Sequence, residues 1–184
     1  ALGSDFHYFT REANPDSLLI YFVGGGACWN GQQCNPSVDP TPYTYRLGKV
    51  QDNEVDGIFN LQHPNNPFSR YTILVIPTCT GDLFLGDSTT QYVYESNGDK
   101  ETVTVYHRGY DNAMTALQWA YQQVSSPETV VVGGSSAGGV AAPLYANIVA
   151  NRYTGARVVG IGDAAGAYRG EAMQGAQLDN WNIR

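Results

Sequence analysis

Val130-Val131-Val132-Gly133-Gly134-Ser135-Ser136-Ala137-Gly138-Gly139 places a Gly-x-Ser-x-Gly pentapeptide directly after an apolar β-branched run and directly before a run of small residues. β-Branched side chains crowd a helix but fit a pleated sheet, so Thr129 to Gly133 reads as a strand. Ala137 to about Arg152 reads as the helix that follows it. A serine between two such elements sits on a tight, strained turn, and its neighbours must be small because the backbone folds closely beneath its side chain. Gly134 and Gly138 meet that demand. The helix start adds the positive end of a dipole and unpaired amides where an oxyanion would form. Ser136 is therefore the candidate nucleophile. The alternative, an ordinary flexible Gly-Ser loop, does not account for the strand and helix on either side.

Working outward, Leu18-Leu19-Ile20-Tyr21-Phe22-Val23 is apolar throughout, as a strand covered on both faces must be, and it runs straight into Gly24-Gly25-Gly26-Ala27-Cys28-Trp29. Phe6 to Arg11 and Ser17 to Val23 read as a hairpin around Glu12-Ala13-Asn14-Pro15-Asp16, whose Asn, Pro and Asp favour chain reversal. Tyr71 to Ile76 is the next buried strand, and Val103 to His107 a short extended piece. From Gly109 to Val124 the apolar positions recur with helical spacing, and Ser125-Ser126-Pro127 stops that helix. Ala156 to Ile161 is a further strand, ending at Gly162-Asp163. Residues 31 to 70 are rich in Pro, Asn and Asp and too long for a simple connection, so they read as a functional or covering insertion. Apolar strands alternating with helices mean an α/β fold with a mainly parallel sheet and flanking helices. The expected organisation is one domain over residues 1–184, the N-terminal portion of an α/β-hydrolase-type fold that is incomplete at its C-terminus.

A serine hydroxyl needs a general base, a group to orient that base, and donors for the oxyanion. The amide of Ala137, the residue after the nucleophile, is one expected donor, and the amides of Gly25 and Gly26 on the earlier glycine-rich loop are the others expected, with a plain tight turn as the alternative reading of that loop. Asp163 follows the nucleophile at a strand end and reads either as the orienting acid or as a hydrogen-bonding support for the turn. The base is the missing part. His7, His63 and His107 all precede Ser136, whereas in this fold the histidine follows the acid. The remainder of the hydrolase polypeptide is therefore expected to carry it.

Composition narrows the partners. The 184 residues carry a net charge of −7, a pI near 4.7 and only ten Lys and Arg, which disfavours nucleic acid. No run approaches the ~18 apolar residues of a membrane span. Cys28 and Cys34 lie in a Gly-, Asn- and Gln-rich loop that suits a small disulfide better than a metal site, with free thiols as the alternative. Cys79 is left over. Asp82 and Asp87 on a Gly-containing loop read as turn residues rather than a cation site, so neither metal nor cofactor is expected.

Several blocks in order resemble the pectin acetylesterase and Notum-like serine hydrolases of the α/β-hydrolase superfamily. They are Leu18 to Asn30, Asn66-Pro67-Phe68, Ile76 to Asp82, His107-Arg108-Gly109, Gly134 to Gly139, and Ile161-Gly162-Asp163. The resemblance implies a secreted or periplasmic, disulfide-containing carboxylester hydrolase, with Ser136 as nucleophile and Gly25, Gly26 and Ala137 as oxyanion donors. Its catalytic Asp and His would lie beyond Arg184, which leaves Asp163 a supporting role and makes His107 structural or substrate-lining. Many members have Cys just before the nucleophile, where this chain has Ser135, so Cys79 cannot bridge to that position.

The expected activity is ester hydrolysis through an acyl-enzyme on Ser136, with an acylated carbohydrate such as pectin, or a small ester, as substrate. The competing reading is a non-catalytic carbohydrate- or lipid-binding module, in which Trp29, Tyr43 and Tyr45 offer stacking surfaces to sugars, unless these aromatics are core residues, as Trp and Tyr commonly are.

Overall fold

A computed structural model of the chain describes residues 1–45, 57–166, 175, 177 and 179–183. Its main sheet contains β1 (Phe9–Arg11), β2 (Asn14–Phe22), β3 (Tyr71–Ile76), β6 (Thr129–Ser135) and β7 (Arg157–Asp163), in the spatial order β1-β3-β2-β6-β7. β2, β3, β6 and β7 run parallel, and β1 alone is antiparallel, against β3. A separate two-stranded sheet pairs β4 (Ser88–Ser96) with β5 (Asp99–His107). The helices with described bounds include α1 (Gly31–Cys34), α2 (Gly109–Gln123) and α3 (Ala137–Arg152). A mostly parallel sheet flanked by helices is the α/β architecture that the alternating pattern predicts.

Each central strand is apolar on both faces because both faces are covered. Leu18, Ile20 and Phe22 of β2, Leu74 and Ile76 of β3, and Val130 and Val132 of β6 share one buried cluster with Ala113, Ala116, Leu117 and Ala120 of α2 and Ala141, Ala142 and Tyr145 of α3. The alternate residues Leu19, Ile73 and Val131 point the other way. Among the described residues no helix covers them. Ile58, Phe59, Leu61 and Phe68 of the long insertion pack there instead, with the Tyr21 and Phe59 rings edge to face at 5.0 Å. This part of the insertion therefore covers the sheet, whereas residues 46–56 of the expected 31–70 segment lie outside the described residues.

Two expectations need correction. Phe6 to Arg11 and Ser17 to Val23 do not form a hairpin, because β3 lies between them and pairs with both, Phe9 opposite Val75 on one edge and Tyr21 opposite Val75 on the other. The physical reason is burial: the apolar run of β2 belongs at the sheet centre, between the parallel neighbours β3 and β6, while the three exposed residues of β1 suffice only for an edge. The extended piece at Val103 to His107 is one arm of a nine-residue-per-strand hairpin. Its turn, Asn97-Gly98, has φ 53° and 89° at the two central positions, which matches the twist of paired strands.

β3 and β6 flank β2 on opposite sides, so successive connections leave the sheet centre in opposite directions. This switch opens a crevice at the C-terminal strand ends, the usual ligand position in parallel sheets. The glycine-rich loop after β2 and the turn after β6 both lie at that end.

Candidate active site

β6 ends at Ser135 and α3 begins at Ala137, so a single residue makes the turn. Ser136 takes φ 51° and ψ −119°, a conformation that side-chain-bearing residues avoid, and it is exposed. Two main-chain bonds hold it: its N–H donates to the Asp163 carbonyl at 2.9 Å, and its carbonyl accepts from the Val140 N–H at 3.1 Å. Gly138 is required because a Cβ there would collide with the Phe22 carbonyl. Among the described residues no side chain hydrogen bonds to the Ser136 hydroxyl.

The glycine-rich loop comes against this turn. A Cβ on Gly24 would stand 3.0 Å from the Ser136 Cβ and 2.7 Å from the Ser135 carbonyl oxygen, a closeness that only glycine permits. Gly25 accepts from the Thr44 N–H at 2.7 Å through its carbonyl, and Gly26, at φ 71°, bridges to Tyr43. Residues 43 and 44 of the insertion thus brace the loop from behind. Ala27, Leu83, Ala137 and Trp181 are buried together, with Trp29, Leu85 and Val140 partly buried around them. Ser136 therefore stands beside an apolar patch.

Asp163 and Ser135 are register partners at the ends of β7 and β6. Asp163 reaches the turn through its backbone carbonyl, and its side chain is exposed. Cys28 and Cys34 form a disulfide across α1, and Cys79 is a buried free thiol. Trp29 is partly buried, with its carbonyl accepting from the Asn180 amide at 2.9 Å. Tyr43 is 2% exposed in the cluster around the disulfide, which removes it as a stacking surface for sugars. Tyr45 is partly buried against the same cluster.

Of the two expectations for His107, structural or substrate-lining, its surroundings agree with the structural one. It is 0% exposed, and both ring nitrogens are engaged. Nδ1 donates to the Thr80 carbonyl at 2.9 Å, which fixes the tautomer, so Nε2 accepts from the Tyr92 hydroxyl at 2.9 Å. Burial pushes its pKa down to about 4, keeping the ring neutral. The alternation of β5 that ends at His107 points it inward, and the ring cannot turn to a substrate without giving up both bonds.

Asp82, which read as a turn residue in the sequence, ties this region together. Asp82 is wholly buried, and its carboxylate accepts from the Thr80 hydroxyl at 2.8 Å, the Phe84 N–H at 3.2 Å and the Gly109 N–H at 2.8 Å. Gly109 opens α2, so the carboxylate also meets the positive end of that helix. Burial nevertheless outweighs these bonds and raises the carboxyl to about 6. Asp87, the other carboxylate of the loop, pairs with Arg108 at 2.8 Å on the surface. Among the described residues no cluster of three or more His, Cys, Asp or Glu is arranged to hold a metal, and no helix is long and apolar enough to cross a membrane.

Trp181 was missed. It is fully buried, its indole N–H donates to the Cys28 carbonyl at 3.0 Å, and its carbonyl accepts from the Asp87 N–H at 2.8 Å. A lone Trp in a polar tail carried no signal of that docking.

A search among curated proteins finds no relative that matches this chain. A family model described as pectinacetylesterase, however, matches residues 3–177, nearly the whole chain, from before β1 to beyond β7. The chain belongs to the pectinacetylesterase family, a family of carbohydrate esterases.

Proposed function

We propose that this protein hydrolyses acetyl esters on a polysaccharide such as pectin through an acyl-enzyme on Ser136. The observation that carries the reading is the strained, exposed Ser136 at the start of α3 with the glycine-rich loop packed against it. The Ser136 Oγ attacks the ester carbonyl carbon while a base takes its proton, and the amides of Gly25, Gly26 and Ala137 hold the oxyanion. Collapse of the tetrahedral intermediate breaks the bond to the sugar oxygen, which leaves with the proton. Water activated by the same base then attacks the acetyl-serine carbonyl and releases acetic acid. The apolar patch of Trp29, Leu85 and Val140 suits the methyl end of the acyl group.

The base is not His107, whose ring is neutral, buried and doubly bonded. We assign neither the base nor its orienting acid to a described side chain, and Asp163 acts as a support through its carbonyl. The family and the Cys28–Cys34 bridge support a secreted or periplasmic setting.

Labelling of the natural full-length protein by a fluorophosphonate tests the reading. Labelling that disappears in Ser136→Ala, with acetate release from acetylated pectin lost in parallel, is the expected result. Acetate release by Ser136→Ala at the wild-type rate would refute it. Pectin binding with neither labelling nor acetate release would instead select the non-catalytic binding module.

A further inference from the structure

The loop after β3 holds two consecutive non-glycine residues in the left-handed region, Leu83 at φ 54° and Phe84 at φ 64°. Both are buried, at 3% and 2% exposure. Such residues persist only where the surroundings over-determine them, and they concentrate at functional sites. Here the determinants are identifiable. The Asp82 carboxylate takes the Phe84 N–H at 3.2 Å, the Asp82 carbonyl takes the Leu85 N–H at 3.0 Å, and the Tyr145 hydroxyl donates to the Phe84 carbonyl at 2.6 Å. Tyr145 belongs to α3, the helix that the nucleophile starts, and Asp82 also holds Gly109 of α2. The loop is thus pinned to both helices.

The pinning sends the Leu83 side chain into the cluster with Ala27, Ala137 and Trp181. Ala27 immediately follows Gly26, and Ala137 immediately follows Ser136. One side chain therefore shares a buried cluster with both segments whose amides would bind the oxyanion. Oxyanion stabilisation depends on donors already at their final spacing, because donors that must move pay reorganisation at the moment of reaction.

We propose that Leu83, held in its left-handed conformation by Asp82, is a positioning residue that sets the spacing between the glycine-rich loop and the start of α3. This rests on the reading of Ser136 as nucleophile. Leu83 is 3% exposed and offers a substrate almost no surface, so its effect is expected in the transition state rather than in ground-state binding. In Leu83→Ala the two segments lose their spacer, and the donors meet the oxyanion out of place.

The test uses the natural full-length protein with 4-nitrophenyl acetate, reading kcat, KM and the rate of fluorophosphonate labelling at a temperature where each variant is folded. Leu83→Ala is expected to lower kcat and the labelling rate about tenfold or more, with KM changed less than about twofold. Leu83→Met, which restores the volume, should recover kcat to within about threefold of wild type. Leu117→Ala empties an equally buried position among the helix residues of the main core, and should leave kcat of the folded protein unchanged. If Leu83→Ala does not fold, Asp82→Asn, which turns a donor toward the Gly109 N–H and loosens the same loop, should show the same split between kcat and KM. Wild-type kcat in the folded Leu83→Ala or Asp82→Asn protein, or an equal kcat loss in Leu117→Ala, overturns the proposal. A wild type that is not labelled overturns the nucleophile reading and this inference with it, whereas a labelled wild type with unaffected variants overturns this inference alone.

Discussion

The turn after β6 and the loop after β3 both bend non-glycine residues into the left-handed region at the C-terminal edge of one sheet, yet they are built in opposite ways. Ser136 is exposed and held by two main-chain hydrogen bonds, with glycines making room on either side. Leu83 and Phe84 are buried and held by a carboxylate, a tyrosine hydroxyl and apolar packing. Strain at the surface presents a side chain to solvent. Strain in the interior fixes the position of what is packed around it.

The most severe way to break this comparison is to remove the exposed hydroxyl. Ser136→Ala should lower acetyl-ester turnover by about 10⁴-fold or more, measured as acetate release, while leaving the fold intact. Next in size is loss of the buried carboxylate. Asp82→Ala leaves the Gly109 N–H, the Phe84 N–H and the Thr80 hydroxyl without their acceptor, which should cost about 3 kcal/mol in a denaturant titration. No comparable stability cost is expected at Ser136, because no side-chain bond is lost there.

A glycine placed at each turn sharpens the contrast. Ser136→Gly relieves the backbone strain without emptying any core and should raise stability by about 1 kcal/mol as activity disappears. Leu83→Gly gains a similar relief but leaves a cavity beside Ala27 and Ala137, so it should lose about 2 kcal/mol net. The same substitution thus has opposite signs at the two turns, readable from thermal midpoints.

The smallest effect is on the pH dependence of stability around the buried loop. Asp82 is raised from 3.8 to about 6, so its contribution is fully present below 3.8 and lost as pH rises through about 6. His107 is lowered from 6.5 to about 4, so its contribution is present above 6.5 and lost as pH falls toward about 4. The two slopes oppose each other across the same window, each at most about 1.4 kcal/mol per pH unit. Wild-type stability should therefore vary little between about pH 4 and 6 from these two groups. His107→Gln, which can keep both hydrogen bonds but cannot titrate, should make stability fall as pH rises across that range. An unchanged profile in His107→Gln would remove the histidine from this balance.

Much of the sheet was legible because its strands announce themselves over short distances. Val130 to Val132, Leu18 to Phe22 and Ile73 to Ile76 are apolar at successive positions, and only a strand buried on both faces requires that. The helix spacing of Ala113, Ala116, Leu117 and Ala120 was equally local. The β4–β5 hairpin was also written locally, since Asn97-Gly98 sits between alternating Tyr92, Tyr94, Val103 and Val105, and that signal was overlooked rather than absent. The partner of β1 was not legible, because three exposed residues can pair with any open edge and the identity of that edge depends on where β2 and β3 settle. Asp82 read as a turn residue because sequence does not report burial. Trp181 gave no hint of its docking because its partner carbonyl, on Cys28, lies 153 residues earlier.

By itself the sequence determined the parallel α/β arrangement, the strand-to-helix turn at Ser136 and the glycine-rich loop after β2, and it favoured the Cys28–Cys34 pairing. Each of these follows from residue type and spacing within a few turns of chain. Only the tertiary structure decided that His107 is buried and neutral, that Asp163 serves the turn through its carbonyl, and that Asp82 and Leu83 stand behind the site. Those outcomes depend on which distant groups exclude water from a side chain and which donors remain to satisfy it, and neither is encoded in local sequence.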